Sequence, residues 1–150
     1  MKQLTYMVLC ILFAQFMAGC TQNNGDIGPW FGTWRLDEIL IDGAADENYR
    51  DNIIWKFQSD VVSIVEVDDV NHEANPSWGT WLLGDNTITL EFVYSDDIFG
   101  NSSDRYTPPA ATHIPAGATT MRVEKLTKGE IILSYQSADC VYTYYLKKHG

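Results

Sequence analysis

The sequence predicts an all-β domain, an eight-stranded antiparallel barrel of up-and-down topology. From residue 30 onward no stretch of ten residues carries apolar side chains at the 3.6-residue spacing of an amphipathic helix. The chain instead contains eight short runs rich in β-branched and aromatic residues, most of which alternate apolar and polar positions. The connections between these runs are alternately long and tight, except that the last one, at 137–139, is also short. Together these observations favour a closed meander of strands.

The predicted strands follow one another at short intervals along the chain. They span 33–41, 53–59, 61–67, 78–83, 87–94, 119–126, 130–137 and 140–147. Alternation is clearest in 88–92, 121–124 and 142–144, where one face is apolar and the other polar, as an antiparallel sheet with one wet side requires. The third strand is apolar on both faces, so the direction of its side chains stays open.

The lengths of the connections predict two different ends of the barrel. Turn-forming residues make the tight connections, which are 59–60, 84–86 and 127–129. The long connections are 42–52, 68–77 and 95–118. Alternate connections of a meander lie at the same end, so we expect a closed floor and a mouth rimmed by three long loops. An eight-stranded barrel of this kind is filled by its own side chains or holds one small ligand.

The N-terminus has the layout of a secretory signal peptide. Lys2 carries the only charge, residues 4–17 are almost wholly apolar, and small residues precede Cys20. This apolar core is too short for a transmembrane helix, which needs about 20 residues. The four residues ending at Cys20 resemble the lipobox of bacterial lipoproteins, which implies cleavage after residue 19 and acylation of Cys20. A secreted protein with a chance cysteine is the alternative.

These features predict three segments. Residues 1–19 form the signal peptide, 20–29 a polar, lipidated tether, and 30–150 the barrel domain. Thr21, rather than an aspartate, follows Cys20, and the acidic run that marks surface export in some relatives is missing. We therefore expect an outer-membrane lipoprotein that faces the periplasm and contacts the membrane through acylated Cys20.

Charge and cysteine content exclude several classes of function. The chain has 20 acidic and 10 basic residues, and loss of Lys2 with the signal would leave a net charge of −11. Such a charge repels phosphate backbones, so no nucleic-acid partner is expected. Of the three cysteines, Cys10 lies in the signal and Cys20 would be acylated, which leaves Cys140 alone. A disulfide or a paired-cysteine metal site within the mature chain is therefore excluded.

The first strand opens with Gly32-Thr33-Trp34, which resembles the Gly-x-Trp signature of the lipocalins. The resemblance implies that Trp34 plugs the barrel floor beneath a basic residue from the end of the last strand, where Lys147 or Lys148 lies. Segments 79–85, 88–90 and 123–126 also look like the lipocalin-like lipoproteins of gut-type Gram-negative bacteria. The likeness covers residues 30–148 without the family's middle signature or C-terminal helix, so its ligands are not transferred to this chain.

With Trp34 inward, alternation predicts which side chains face the interior. The predicted interior set is Leu36, Ile53, Trp55, Phe57, Trp81, Leu83, Ile88, Leu90, Phe92, Met121, Val123, Ile131, Leu133, Tyr135, Tyr142 and Tyr144. The members expected in the mouth half are Trp55, Trp81, Phe92, Met121, Tyr135 and Tyr142. These would line a pocket for a small apolar or amphipathic molecule. The alternative is that the same aromatic side chains simply fill the core.

The loops raise two further alternatives. In 95–118 the apolar residues Ile98, Phe99, Tyr106 and Ile114 would cover the mouth as a lid, unless the segment is a disordered insert. Ten of the twenty acidic residues lie in the three long connections, which indicates either a solvated rim or a site that selects against anions. The acidic stretch at 68–73 matches no zinc or calcium motif, so we expect no metal.

The sequence therefore predicts a membrane-anchored module that binds a small molecule. No nucleophile, oxyanion device or phosphate loop accompanies the acidic residues, so we expect neither an enzyme nor a cofactor. The rival hypothesis is a filled barrel that serves as a protein–protein interaction or inhibitor module through its long loops.

Overall fold

The computed structural model describes residues 28–68, 70–94 and 104–150. The predicted signal peptide and Cys20 lie outside the described residues, as do Ile98 and Phe99. Within the described ranges, no helix has the length and apolar character needed to cross a membrane.

Eight long strands close into an antiparallel barrel, which confirms the predicted fold class. The strands are β1 (Gly32–Ile41), β2 (Ala44–Ala45), β3 (Ile53–Gln58), β4 (Val61–Asp68), β5 (Glu73–Gly84), β6 (Thr87–Phe92), β7 (Gly117–Leu126), β8 (Glu130–Gln136) and β9 (Val141–Lys148). Each long strand pairs with the next, and β9 pairs with β1 to close the sheet. The two-residue β2 pairs only with the end of β1. Two short 3₁₀ helices, η1 (Asp104–Tyr106) and η2 (Ala110–Thr112), lie between β6 and β7.

The strand β5 is longer than the sequence predicted. It begins at Glu73 rather than at residue 78, and its ladder with β4 runs without interruption to the pair Asp68–Glu73. The expected long loop at 68–77 is therefore wrong, because Asn75, Pro76 and Ser77 are turn-forming types whose preference the pairing with β4 overrides. The strand bounds leave long connections at the mouth end between β1 and β3 and between β6 and β7.

The barrel interior is a single apolar cluster that follows the predicted alternation with two exceptions. A bulge between Leu36 and Glu38 shifts the phase of β1, so that Ile39 points inward and is buried. Leu83 is half exposed at the end of β5, so its predicted inward position is wrong. In β4, whose direction the sequence left open, Val62 and Ile64 are the fully buried interior residues.

The floor is the end of the barrel at which β1 begins and β9 ends. Trp34 is fully buried there, and its indole Nε1 donates a hydrogen bond of 2.8 Å to the carbonyl oxygen of Trp30. The Lys148 ammonium lies 4.4 Å from the centre of the Trp34 ring and donates to the carbonyl oxygen of Phe31. Trp34 thus occupies the floor as the resemblance implied.

The basic residue over Trp34 is Lys148, so the choice of Lys147 was wrong. Leu146 is buried inside the barrel, and successive side chains of a strand point to opposite faces. Lys147 therefore points outward, where its Nζ lies 2.6 Å from a carboxylate oxygen of Glu130. Gly32 completes the arrangement: it has φ +116°, and a Cβ atom there would lie 2.6 Å from Lys148 Nζ.

Candidate functional site

The segment that precedes β7 closes the mouth of the barrel. Thr112 and Ile114 are buried, and Ile114 belongs to the core cluster. The Tyr144 hydroxyl, at the inner face of β9, donates a hydrogen bond of 2.7 Å to the carbonyl oxygen of Thr112. Tyr106 packs beside Tyr94, with 6.2 Å between the ring centres. Residues 104–116 therefore form an ordered cover, as the lid hypothesis expected for Ile114.

A second attachment joins this cover to the loop between β1 and β3. His113 Nε2 lies 2.8 Å from Asp46 Oδ2, and the His113 ring stacks on Tyr142 at 4.8 Å between centres. The Asp46 carboxylate, which is almost buried, also accepts a hydrogen bond of 3.0 Å from the backbone N–H of Asn48. The hydrogen bond with His113 is the main reason that the pKa of Asp46 is lowered. The two long mouth loops are thus held together.

Three of the six residues predicted to bind a ligand lie in the packed core. Trp55 and Met121 are fully buried and Phe92 nearly so. The Trp55 ring contacts Phe57 and Tyr144, at 6.3 and 5.9 Å between ring centres. Its Nε1 has no hydrogen-bond partner among the described residues, so packing alone holds the indole in place. These three side chains face close neighbours rather than open space.

Trp81 lies at the floor, so its predicted place in the mouth half was wrong. Its ring packs against Phe57 at 5.2 Å and Trp30 at 6.0 Å between centres, and its backbone N–H donates to the carbonyl oxygen of Asp60 in the β3–β4 turn. Because β5 runs from mouth to floor and begins as early as Glu73, its later residues lie near the floor.

Tyr135 and Tyr142 lie at the mouth, as predicted. They form a cross-strand pair between β8 and β9, with nearly parallel rings 6.0 Å apart. Both remain partly exposed, and His113 covers one face of Tyr142. A side-chain hydrogen bond with Cys140 is the main cause that raises the pKa of Tyr142 to about 12, so its hydroxyl is protonated at neutral pH.

A cleft of about 910 Å³ lies at the mouth, between β5 and the cover. On β5 only the residues from Thr80 to Gly84 pair with β6, so among the described residues the first half of β5 extends beyond that ladder and leaves a gap in the wall. The cleft occupies this gap and is lined by Glu66, Asn75, Pro76, Ser77, Trp78, Arg105, Thr107, Pro108, Pro109 and Ala110. Sequence reasoning missed it because residues 73–77 were assigned to a loop, and no alternation pattern reports the unequal lengths of neighbouring strands.

A smaller cleft of about 360 Å³ continues the first along the rim. It is lined by Arg50, Asn52, Glu66, Val67, Asp68, Val70 and Asn75. Glu66 and Asn75 line both clefts, so the two clefts adjoin at these residues, and together they are called the groove. Asn52 fixes the outer wall, since its Nδ2 donates to the carbonyl oxygen of Val67 at 3.0 Å. The candidate site is this groove.

A family model described as a lipocalin-like domain matches residues 14–148, which is nearly the whole chain. The chain belongs to the lipocalin-like domain family. A lipocalin-like protein from Bacteroides uniformis is similar in structure, with a TM-score of 0.61, 18% identity, and coverage of 81% of this chain and 100% of that one. An uncharacterized protein from Bacteroides eggerthii gives a TM-score of 0.61 and 22% identity over 80% and 99% of the two chains. No functionally curated protein matches.

These likenesses establish the fold of the lipocalin-like domain, whereas its chemistry has to be argued from its own groove. Across the described ranges, no three His, Cys, Asp or Glu side chains lie close enough together to hold a metal ion. The groove combines flat apolar surfaces with hydrogen-bonding side chains. This combination suits non-covalent binding of an amphipathic molecule.

Proposed function

We propose that this lipocalin-like domain is a membrane-anchored binding protein for a small amphipathic molecule, which it holds in the groove at its mouth. The observation that carries the proposal is the 910 Å³ cleft between β5 and residues 105–110. Small-molecule pockets commonly have volumes of about 300–1,000 Å³, so the cleft has the size of such a site.

The lining of the cleft supports an amphipathic ligand. Pro76, Trp78, Pro108 and Pro109 offer apolar surfaces on which rings or alkyl chains can lie. Asn75, Ser77 and Thr107 offer hydrogen-bonding groups that would orient a polar group. Because Trp55, Phe92 and Met121 are packed in the core, we place the ligand in the groove rather than deep in the barrel.

Membrane anchoring through Cys20 is the second part of the proposal. The described chain enters the barrel at the floor, where Trp30 is buried beside Phe57 and Trp81. A tether attached at the floor leaves the groove, at the opposite end of the barrel, free to face the surrounding solution. We place the protein on the periplasmic face of the outer membrane, as a binding protein rather than an enzyme.

Filling the cleft tests the proposed site. Ala110 lines the cleft and is exposed, so Ala110→Trp should block the groove without disturbing the core. The matched control is Ala44→Trp, an exposed position on β2 outside the groove. The barrel closes within residues 32–148, so a soluble form that begins at Thr21 keeps every described contact. The probe is the uncharged fluorophore N-phenyl-1-naphthylamine.

We expect Ala110→Trp to weaken binding of this probe by about tenfold or more, which corresponds to about 1.4 kcal/mol. Ala44→Trp should bind the probe like the parent protein. Equal binding of the probe by both variants, or no binding by the parent protein, would contradict the assignment of the groove as the binding site.

Exposed apolar side chains favour a second candidate, a protein–protein module. Val93 and Tyr94 are 57% and 55% exposed, and Trp78 at the edge of the cleft is 41% exposed. Val93 and Tyr94 are adjacent in the chain, and exposed apolar surface of this kind often marks a protein contact. Val93→Ser separates the two functions, since it should weaken partner binding while leaving binding of the naphthylamine probe unchanged.

A further inference from the structure

We infer that the groove selects amphiphiles with a cationic head group, such as an alkylammonium ion, and that Glu66 is the residue that determines this selectivity. The inference rests on the proposed function, because it names the class of ligand for the same groove.

Glu66 stands at the junction of the two clefts and lines both. It lies near the mouth end of β4, where the ladders place it opposite Asn75 on β5 and Ile53 on β3. Pairing on both sides fixes its backbone, so the half-buried carboxylate is confined to the groove. Within the described part of the chain, no basic side chain forms an ion pair with it.

The two arginines that line the groove compensate the negative charge of Glu66 only weakly. Arg105 lines the larger cleft and Arg50 the smaller one, and both are exposed. Water and salt screen an exposed guanidinium, whereas a half-buried carboxylate keeps more of its field. A head group that displaces water at the junction therefore meets mainly the negative charge of Glu66.

The neighbouring carboxylate of Asp68 adds to the negative potential of Glu66. Asp68 lines the smaller cleft, and hydrogen bonds from the backbone N–H of Val70 and from the Asn71 amide lower the pKa of its carboxyl, so it stays ionised at neutral pH. An ammonium group at the junction would be attracted by Glu66 and Asp68, whereas a carboxylate or sulfate would be repelled by them.

Competition for the bound naphthylamine probe tests this selectivity. Decyltrimethylammonium and decanoate carry alkyl chains of similar length and opposite charge, and both are used below the concentrations at which they form micelles. At low ionic strength we expect the cation to displace the probe at about tenfold lower concentration than the anion, a ratio that falls as added salt screens the groove. The salt dependence is measured on the parent protein, so it tests the role of charge without any substitution.

Glu66→Gln should reduce the preference for the cation to about threefold or less, because it removes the charge and keeps the shape. Glu47→Gln is the matched control, since it removes the same charge from an exposed position outside the groove. Thermal unfolding of both variants checks that they are folded. If Glu66→Gln is unfolded, Glu66→Asp is used instead, and it should retain the preference for the cation.

The outcomes separate this inference from the function on which it rests. Equal displacement by both amphiphiles, or a preference for decanoate, would overturn the selectivity while probe binding still supported the groove. A preference that survives in Glu66→Gln would overturn the role of Glu66. Failure of the parent protein to bind the probe would overturn the proposed function itself, and the inference with it.

Discussion

Trp34 is held at the floor by contacts of three different kinds. Its indole N–H is bound by the carbonyl oxygen of Trp30, its ring lies under the Lys148 ammonium, and Gly32 leaves the space that Lys148 occupies. Each contact depends on a residue of a particular type, which explains why glycine and tryptophan stand two residues apart at the start of β1. The floor therefore depends on single residues of particular types as well as on apolar packing.

Truncation of Trp34 should strongly destabilise the fold, because removal of a fully buried aromatic side chain leaves a cavity. We expect Trp34→Ala to lower the free energy of unfolding by about 3–5 kcal/mol in urea denaturation. Val93→Ala, at an exposed position, should change it by less than about 0.5 kcal/mol. A similarly small loss for Trp34→Ala would contradict the assignment of Trp34 to the floor.

At the scale of single elements, the cover over the mouth is held by the hydrogen bond from Tyr144 to Thr112 and by the contact between His113 and Asp46. The second contact has a defined pH dependence. The pKa of Asp46 is lower in the folded than in the unfolded chain, whose aspartates titrate near pH 3.9. Ionised Asp46 therefore stabilises the fold above that pH, and its contribution is lost as the pH falls through the lower folded pKa.

Asp46→Asn should remove this dependence. We expect the variant to be less stable than the parent protein at pH 6, with a difference that shrinks as the pH falls below about 4. Urea denaturation at a series of pH values measures the difference in unfolding free energy. Glu47→Gln, at an exposed position in the same loop, should show no pH-dependent difference from the parent. A difference between Asp46→Asn and the parent that stays constant from pH 6 to pH 2 would contradict the role given to Asp46.

The elements also show what the sequence can and cannot predict. Alternation located seven long strands to within two residues at each end, because each carries a clear apolar face. It failed at the start of β5, where Asn75, Pro76 and Ser77 are turn-forming types held in a strand by the β4 ladder. The groove depends on this overhang, so it could not be predicted from the sequence. The choice of Lys148 over Lys147, in contrast, follows from the alternation that places Tyr142 and Tyr144 inward, because Lys148 continues the same face of β9.

At the scale of the whole molecule, the two ends of the barrel differ in structure. The floor receives the N-terminal segment and is closed by aromatic side chains, whereas the mouth carries the groove and a cover pinned at two points. If the chain is tethered to a membrane by its N-terminus, this polarity presents the binding site to the solution.

The proposed anchor is tested by Cys20→Ala. This substitution should abolish incorporation of labelled fatty acid and leave an unprocessed or soluble product, because the acylated sulfur is gone. Fractionation of cells that express either form measures it. Labelling and membrane association that persist in the variant would contradict the lipoprotein assignment.

The most direct test of the account locates the ligand in the fold. The chain has five tryptophans, and each indole N–H gives its own NMR signal. Titration of the soluble form with N-phenyl-1-naphthylamine should shift the indole signal of Trp78, which lines the groove, together with the amides of Asn75 and Thr107. The signals of Trp34 and Trp55, which are buried in the floor and the core, should stay in place. Shifts of Trp55 without Trp78 would place the ligand inside the barrel and contradict the account.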